Sequence, residues 1–203
     1  MIKCNLEEAC AVISRNASVK QGNDNSQFVS FGIRLPISDK AAGSSVDLDI
    51  SVSLDGGKDT ASIYASGRRV KLSGVMTIRM KDGKTYYNLR ASSATLAKST
   101  EADSLKGSMS FKGKISKKGV EERTDKNNNT FKTFSAFSSD KNGDKTEFTW
   151  VRFLYFNPKD GEDFLQAGQL IEASGDFQLN VYKGALNLEC RVANILPWEP
   201  QKK

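Results

Sequence analysis

The stretch GRRVKLSGVMTIRMKDGKTYYNLRAS, residues 67–92, decides the fold because the chain carries it twice. It aligns without a gap with GQLIEASGDFQLNVYKGALNLECRVA, residues 168–193. At several positions where the two residues are not identical, both are apolar. The identical pairs are Gly67 and Gly168, Ser73 and Ser174, Gly74 and Gly175, Gly83 and Gly184, and Arg90 and Arg191. A repeat at fixed spacing indicates a repeated structural unit, so we expect both copies to fold alike.

Turn signals recur at short intervals along the whole chain. They are LDGGKD at 54–59, KDGK at 81–84, DKNGDK at 140–145, NPKDGED at 157–163 and YKGA at 182–185. The segments between them alternate polar and apolar residues or are rich in β-branched and aromatic ones, which is typical of strands. Asn142-Gly143 is a specific hairpin signal, because both residues tolerate the positive φ of a tight turn. Only TASIYASG, 60–67, and EDFLQAG, 162–168, have helical character, which predicts an all-β chain.

Each copy predicts five strands, with one short helical turn between strands 3 and 4. This order is typical of the OB-fold, a small Greek-key barrel that commonly binds oligonucleotides. We therefore expect two tandem five-stranded OB-fold barrels, a divergent first barrel at 1–97 and a second at 108–199. The polar segment 98–107 is predicted to be the linker, and 200–203 a short basic tail.

The composition argues against several classes of function. The 30 Lys and Arg against 24 Asp and Glu give a net charge of +6, which suits a polyanionic partner without requiring one. The chain has no His, no Gly-rich phosphate loop and no catalytic motif, so we expect neither an enzyme nor a cofactor. Cys4, Cys10 and Cys190 form no CxxC pair, so no metal site is expected.

Cysteine usage and the N-terminal sequence favour the cytoplasm. An odd, scattered set of cysteines suits a reducing compartment. The start MIKCNLEEAC lacks the apolar core of a signal peptide, and the apolar runs fall far short of a bilayer span. We expect a cytoplasmic protein without a membrane partner.

One strand of the second barrel, EFTWVRFLYFN at 147–157, is apolar on both faces. Successive side chains of a strand point to opposite sides. The two faces are Phe148, Trp150, Arg152, Leu154 and Phe156 on one side, and Thr149, Val151, Phe153 and Tyr155 on the other. A small sheet needs one apolar face for its core, so another subunit, a second sheet or a ligand with flat faces should cover the other.

The second barrel resembles the bacterial single-stranded DNA-binding proteins (SSB), from about Met109 to Trp198. The third-strand segment TEFTWVRFLYF and the fourth-strand segment AGQLIEASGDF carry the most specific part of the resemblance. It implies sequence-tolerant binding of single-stranded DNA, or of RNA, by base stacking and phosphate neutralisation, in replication, repair or recombination. Family members generally assemble four barrels, which implies a homodimer of this chain.

The candidate nucleic-acid-binding residues follow from this resemblance and from the strand with two apolar faces. Trp150 and Phe156 would stack on bases, and Arg152 between them would meet a phosphate or stack on a base. Tyr182 matches the family's aromatic residue on a projecting hairpin, and Phe177 would extend the surface. The lysines that would track the phosphate backbone are Lys114, Lys117 and Lys132. For the aromatic residues the alternative is core or subunit-interface packing, and for the lysines a solvated face.

The first barrel lacks this aromatic face. The alignment places Asp49 opposite Trp150 and Asp55 opposite Phe156, in a segment, VDLDISVSLD, that alternates strictly. Its carboxylates would repel phosphates, so we expect the first barrel to serve assembly rather than binding. The alternative for the whole chain is an OB-fold protein–protein assembly module that binds no nucleic acid.

Overall fold

Strands make up most of the computed structural model, which describes residues 2–39, 42–156, 158–159 and 161–200. In these residues the chain forms ten strands and one short helix. They are β1 (Ile2–Gln21), β2 (Gln27–Asp39), β3 (Ser44–Asp55), α1 (Lys58–Ile63), β4 (Arg69–Lys81), β5 (Lys84–Ala97), β6 (Ser104–Thr124), β7 (Thr130–Asn142), β8 (Lys145–Tyr155), β9 (Leu170–Tyr182) and β10 (Ala185–Pro197). The all-β prediction is confirmed.

The strand pairings of the first half, β1–β5, are repeated in the second half, β6–β10. In the first half β1 pairs antiparallel with β2 and β4, β2 with β3, and β4 with β5, while β3 and β5 are parallel. The same pattern holds when β6 to β10 replace β1 to β5. Each set of five strands therefore forms a closed circuit of pairings, and the repeat in the sequence is a repeat in topology.

The predicted helical turns have different outcomes in the two halves. The first is the helix α1, which lies between β3 and β4 as expected. In the second half, the amide of Leu165 donates to the Glu162 carbonyl at 3.0 Å, which closes an isolated turn instead of a helix. Gly161 and Gly168, which both adopt positive φ, lie on either side of this turn.

Two predicted boundaries need correction. Four residues of the predicted linker, 104–107, belong to β6, because they pair with β1. The rest of that segment is held by ion pairs, with Asp103 contacting Arg69 and the Lys71 ammonium lying 3.1 Å from Glu101. The strand predicted over 147–157 ends at Tyr155, so Phe156 follows it in a bend and Asn157 lies outside the described residues. Residues 201–203 of the predicted tail also lie outside them.

The pairing of β1 with β6 joins the two halves. The register is antiparallel and runs from Lys3 opposite Ser110 to Cys10 opposite Ser104, which makes one ten-stranded sheet. The buried apolar residues of both halves form a single cluster. Within it, burial and the nearby Cys190 raise the pKa of the Cys4 thiol to about 12. The two halves thus share one core.

Gly107 tests the importance of the β1–β6 junction. A Cβ at this position would lie 2.3 Å from the Asn5 carbonyl oxygen, so any side chain would push β6 away from β1. We expect Gly107→Ala to lower the free energy of unfolding by about 1–3 kcal/mol, the usual cost of overpacking. Thermal or urea unfolding followed by circular dichroism measures this, with Ser108→Ala, an exposed neighbour, as control. Equal stability of the two variants would contradict the close approach.

The buried thiols predict a loss of stability in alkali. Burial, as the main cause, raises the pKa of Cys4 and of Cys190 from 9.0 to about 12. Because unfolded thiols ionise near pH 9 while the buried thiols stay protonated, the free energy of unfolding should fall from about pH 9 towards pH 12. Urea unfolding across this range measures the fall, and the double variant Cys4→Ala/Cys190→Ala should show a shallower one. If the free energy of unfolding falls equally with pH in the wild type and in the double variant, groups other than these thiols cause the fall.

Candidate nucleic-acid interface

The two faces of β8 behave as the alternation predicts. Val151, Phe153 and Tyr155 are buried in the core, whereas Trp150 is 51% exposed and Phe148 is 44% exposed. A large aromatic side chain that is half exposed on a paired strand offers an apolar surface to a ligand or partner. The outer face of β8 is therefore the candidate site.

An aromatic cluster of Phe137, Phe148 and Trp150 covers this face. Phe137 on β7 lies directly opposite Trp150, and their ring centroids are 5.0 Å apart with the planes tilted by 55°. Phe148 meets the edge of Phe137 at 5.1 Å. The Trp150 ring is thus supported by a neighbour while about half of its surface stays open. Sequence reasoning placed Phe148 on the face but missed Phe137.

Lys114 extends the cluster into a row across three strands. On β6 it is paired with Phe137, which is in turn paired with Trp150, so the three side chains leave the sheet on the same face. Lys114 and Lys117 are exposed and line a groove of about 320 Å³ with Phe137. The structure therefore places both lysines beside the aromatic cluster, as predicted for a phosphate track.

Lys132 does not join this row. Lys132 is paired with Tyr155, a buried residue of β8. Paired residues lie on the same face of a sheet, so Lys132 lies on the core side of β7 and Phe137 on the opposite side. The structure therefore does not bring Lys132 together with Lys114 on the aromatic face, which a count of basic residues could not show because it ignores the face that each occupies.

Arg152 is held beside Trp150 by a buried carboxylate. Its guanidinium Nη1 lies 3.6 Å from Oε2 of Glu189, and the Asn180 amide donates to the same oxygen at 3.1 Å. Glu189 is almost fully buried, whereas the Arg152 side chain is half exposed. This ion pair places a counter-charge on one side of the guanidinium and leaves its outer side open to an anion.

Phe156 already has aromatic and cationic neighbours. Its ring stacks on Phe131 of β7 with a centroid distance of 4.9 Å, and the Arg191 guanidinium of β10 lies 4.6 Å from the ring centre. Because β8 runs between β7 and β10, these neighbours come from opposite sides. Phe156 is therefore less open to a base than Trp150, and Arg191 is a further cation that sequence reasoning missed.

The two aromatic residues predicted on β9 have opposite environments. Tyr182, at the end of β9, is 64% exposed, and the Lys183 ammonium lies 5.4 Å from its ring centre. Phe177 is only 4% exposed and belongs to the core. The prediction that Phe177 extends the surface is wrong, because it shares the inward parity of Ile171 and Ala173.

The second tryptophan lies on the other side of Phe137. Trp198 is half-buried, and its amide donates to the Leu170 carbonyl at 3.0 Å, which ties the end of the chain to β9. Its side chain lines a groove of about 310 Å³ with Lys112, Lys114 and Phe137. Trp198 thus borders the candidate surface as well as closing the last strand.

The first half carries ion pairs where the second half carries the aromatic cluster. Arg34 occupies the position of Phe137 in the pairing scheme, and its Nε lies 2.8 Å from the Asp49 carboxylate. Likewise the Arg90 guanidinium lies 3.9 Å from Asp55. The predicted polar outer face of β3 is confirmed, and neighbouring cations neutralise its charges in part.

Among the described residues, no group of three or more His, Cys, Asp or Glu side chains is arranged to hold a metal ion. No helix in the described part of the chain is long and apolar enough to cross a membrane.

Comparisons with known proteins give structural likenesses but no relatives by sequence. No family model matches the chain, and no curated protein matches it. The wild-type single-stranded DNA-binding protein from Thermus aquaticus is similar over 100% of this chain and 95% of that one, with 9% identity and a TM-score of 0.49. The mitochondrial single-stranded DNA-binding protein of S. cerevisiae is similar over 47% of this chain and 96% of that one, with 22% identity and a TM-score of 0.36. The Plasmodium falciparum SSB in complex with ssDNA is similar over 46% of this chain and 92% of that one, with 16% identity and a TM-score of 0.35. With similarities of this size, the residues of the chain itself carry the functional case.

Proposed function

We propose that the chain binds single-stranded nucleic acid, DNA in the first place, with little sequence preference and without catalysis. The observation that carries this proposal is the row of Lys114, Phe137 and Trp150 across three strands. A base stacks on an aromatic face whatever its identity, and a neighbouring cation neutralises its phosphate. Arg152 and Tyr182 border the same face and would add a phosphate contact and a second ring.

The architecture supports this function. We infer that each circuit of five strands is an OB-fold barrel, since a small, partly open barrel with a Greek-key order of strands characterises that fold. The barrels would span 1–97 and 104–199, joined by the anchored segment 98–103. In this arrangement the aromatic row crosses the strands on the outside of the second barrel.

The two barrels would have different tasks. The carboxylates of Asp47, Asp49 and Asp55 on the outer face of β3 oppose phosphate binding there. We infer that the first barrel serves assembly. Within the chain, its strand β1 covers the edge of β6, and a homodimer of the chain would contain four barrels. The three free, buried cysteines suit a reducing compartment such as the cytoplasm.

A protein–protein assembly module is the second candidate. The exposed Phe148 and Trp150 favour it, because an apolar patch can also bury a protein surface. The two functions differ in their dependence on salt, since counterion release makes nucleic-acid binding weaken steeply with salt. They differ also in their tolerance of an aliphatic residue in place of Trp150.

Trp150→Ala tests the stacking role, with Leu96→Ala, an exposed apolar strand residue of the first half that lies outside the cleft, as matched control. Loss of one stacked base costs about 1–3 kcal/mol, so the Kd for labelled oligo-dT should rise about fivefold to 150-fold in the first variant and stay within about twofold in the control. Fluorescence anisotropy measures both. Absence of wild-type binding even at low salt would contradict the proposed function and favour the assembly module.

Lys114→Gln tests the phosphate track, with Lys132→Gln on the other side of β7 as control. For single strands, each phosphate contact contributes about 0.7 to the slope of log K against log salt. We expect Lys114→Gln to reduce the slope by about that amount, and Lys132→Gln to leave it unchanged. Titrations of oligo-dT at four or more salt concentrations measure the slopes. Equal slopes for all three proteins would remove Lys114 from the track.

A further inference from the structure

A cleft of about 540 Å³ lies between the two halves of the chain. Trp150, Arg152 and Tyr182 line it from the second half, and Thr85 and Tyr87 of β5 line it from the first. Its volume falls within the range of about 300–1,000 Å³ that is usual for small-molecule sites. The exposed side of Trp150 therefore faces a bounded space with a wall supplied by the first half.

The wall from the first half is held in place. The amide of Gly83, in the turn between β4 and β5, donates to Oε1 of Glu147 on β8 at 3.4 Å. Tyr87 is buried although it lines the cleft, and it belongs to the core that both halves share. The β4–β5 hairpin is thus anchored beside the strand that carries Trp150, so the width of the cleft is set by the fold.

The chemistry of the cleft suits a flat ring with polar edges. Trp150 offers an aromatic face, and Met80 and Leu186 offer apolar contacts. Ser135 and Asn187 also line the cleft, and their polar side chains can hydrogen-bond with the edge of such a ring.

The charges around the cleft fix which part of a nucleotide would enter. A hollow of about 330 Å³ adjoins it at Thr85 and Tyr87 and is bordered by Asp47 and Asp49, which repel phosphate. The half-exposed guanidinium of Arg152 lies on the opposite wall. A strand would therefore keep its phosphates towards the second half and turn its bases towards the first.

We propose that the cleft receives a nucleobase of the bound strand, stacked on Trp150, with the β4–β5 hairpin of the first half as the second wall. This inference rests on the proposed function and deepens it. The first half then contributes to binding although its own outer face does not, and the site is incomplete without it.

Substitution of Thr85 tests this directly, because Thr85 is exposed and lies in the first half, outside the aromatic cluster. Thr85→Glu places a carboxylate in the cleft, and Thr85→Trp fills it. The controls are Thr95→Glu and Thr95→Trp, since Thr95 is an exposed threonine at the far end of the same strand. We expect both Thr85 variants to raise the Kd for labelled oligo-dT about fivefold or more, and both controls to stay within about twofold of wild type.

The outcomes separate this inference from the proposed function. If wild type binds and Trp150→Ala weakens binding, but the Thr85 variants match the Thr95 controls, the cleft is not used and the proposed function stands. If wild type does not bind, the proposed function itself fails. Circular dichroism and thermal unfolding of each variant confirm that it folds.

Discussion

The antiparallel pairing of β1 with β6 is the constraint on which the rest of the structure depends. Each of these long strands closes the circuit of its own half and also pairs with the other across residues 3–10 and 104–110. Because the ladder brings the two halves together, their apolar residues merge into one core. The β4–β5 hairpin then lies beside β8, and the aromatic face of one half acquires a wall from the other.

The two halves show how a duplicated fold can diverge without losing its structure. The inward residues of β3 and β8 are apolar in both copies, whereas the outward residues are free to change. Arg90 and Arg191 are identical in sequence, yet the first lies near the carboxylate of Asp55 and the second lies over the ring of Phe156. The same residue type thus makes an ion pair in one half and a cation–π contact in the other, while the strand pairings are the same.

Periodicity predicted the faces of the strands well but could not predict the pairing register. A turn centred on Asn142 and Gly143 would place Ser135 opposite Trp150, whereas the turn lies one residue later, on Gly143 and Asp144, and brings Phe137 there. One residue of shift at a turn changes every cross-strand partner, so Phe137 was missed. Phe177 was misassigned for a related reason: its residue type suits the site, but it points to the inner face of β9. Lys132 is likewise separated from Lys114 by the face of β7 that it occupies.

The shared ladder also bears on modularity. An isolated first half would expose residues 3–10 of β1 as an uncovered strand edge, and an isolated second half would expose the matching stretch of β6. Uncovered edges pair with other chains and lead to aggregation. Because both copies are on one chain, the two edges pair with each other within the molecule, and this pairing does not depend on protein concentration. The two halves are consequently not interchangeable parts, and evolution can alter their surfaces but cannot readily separate them.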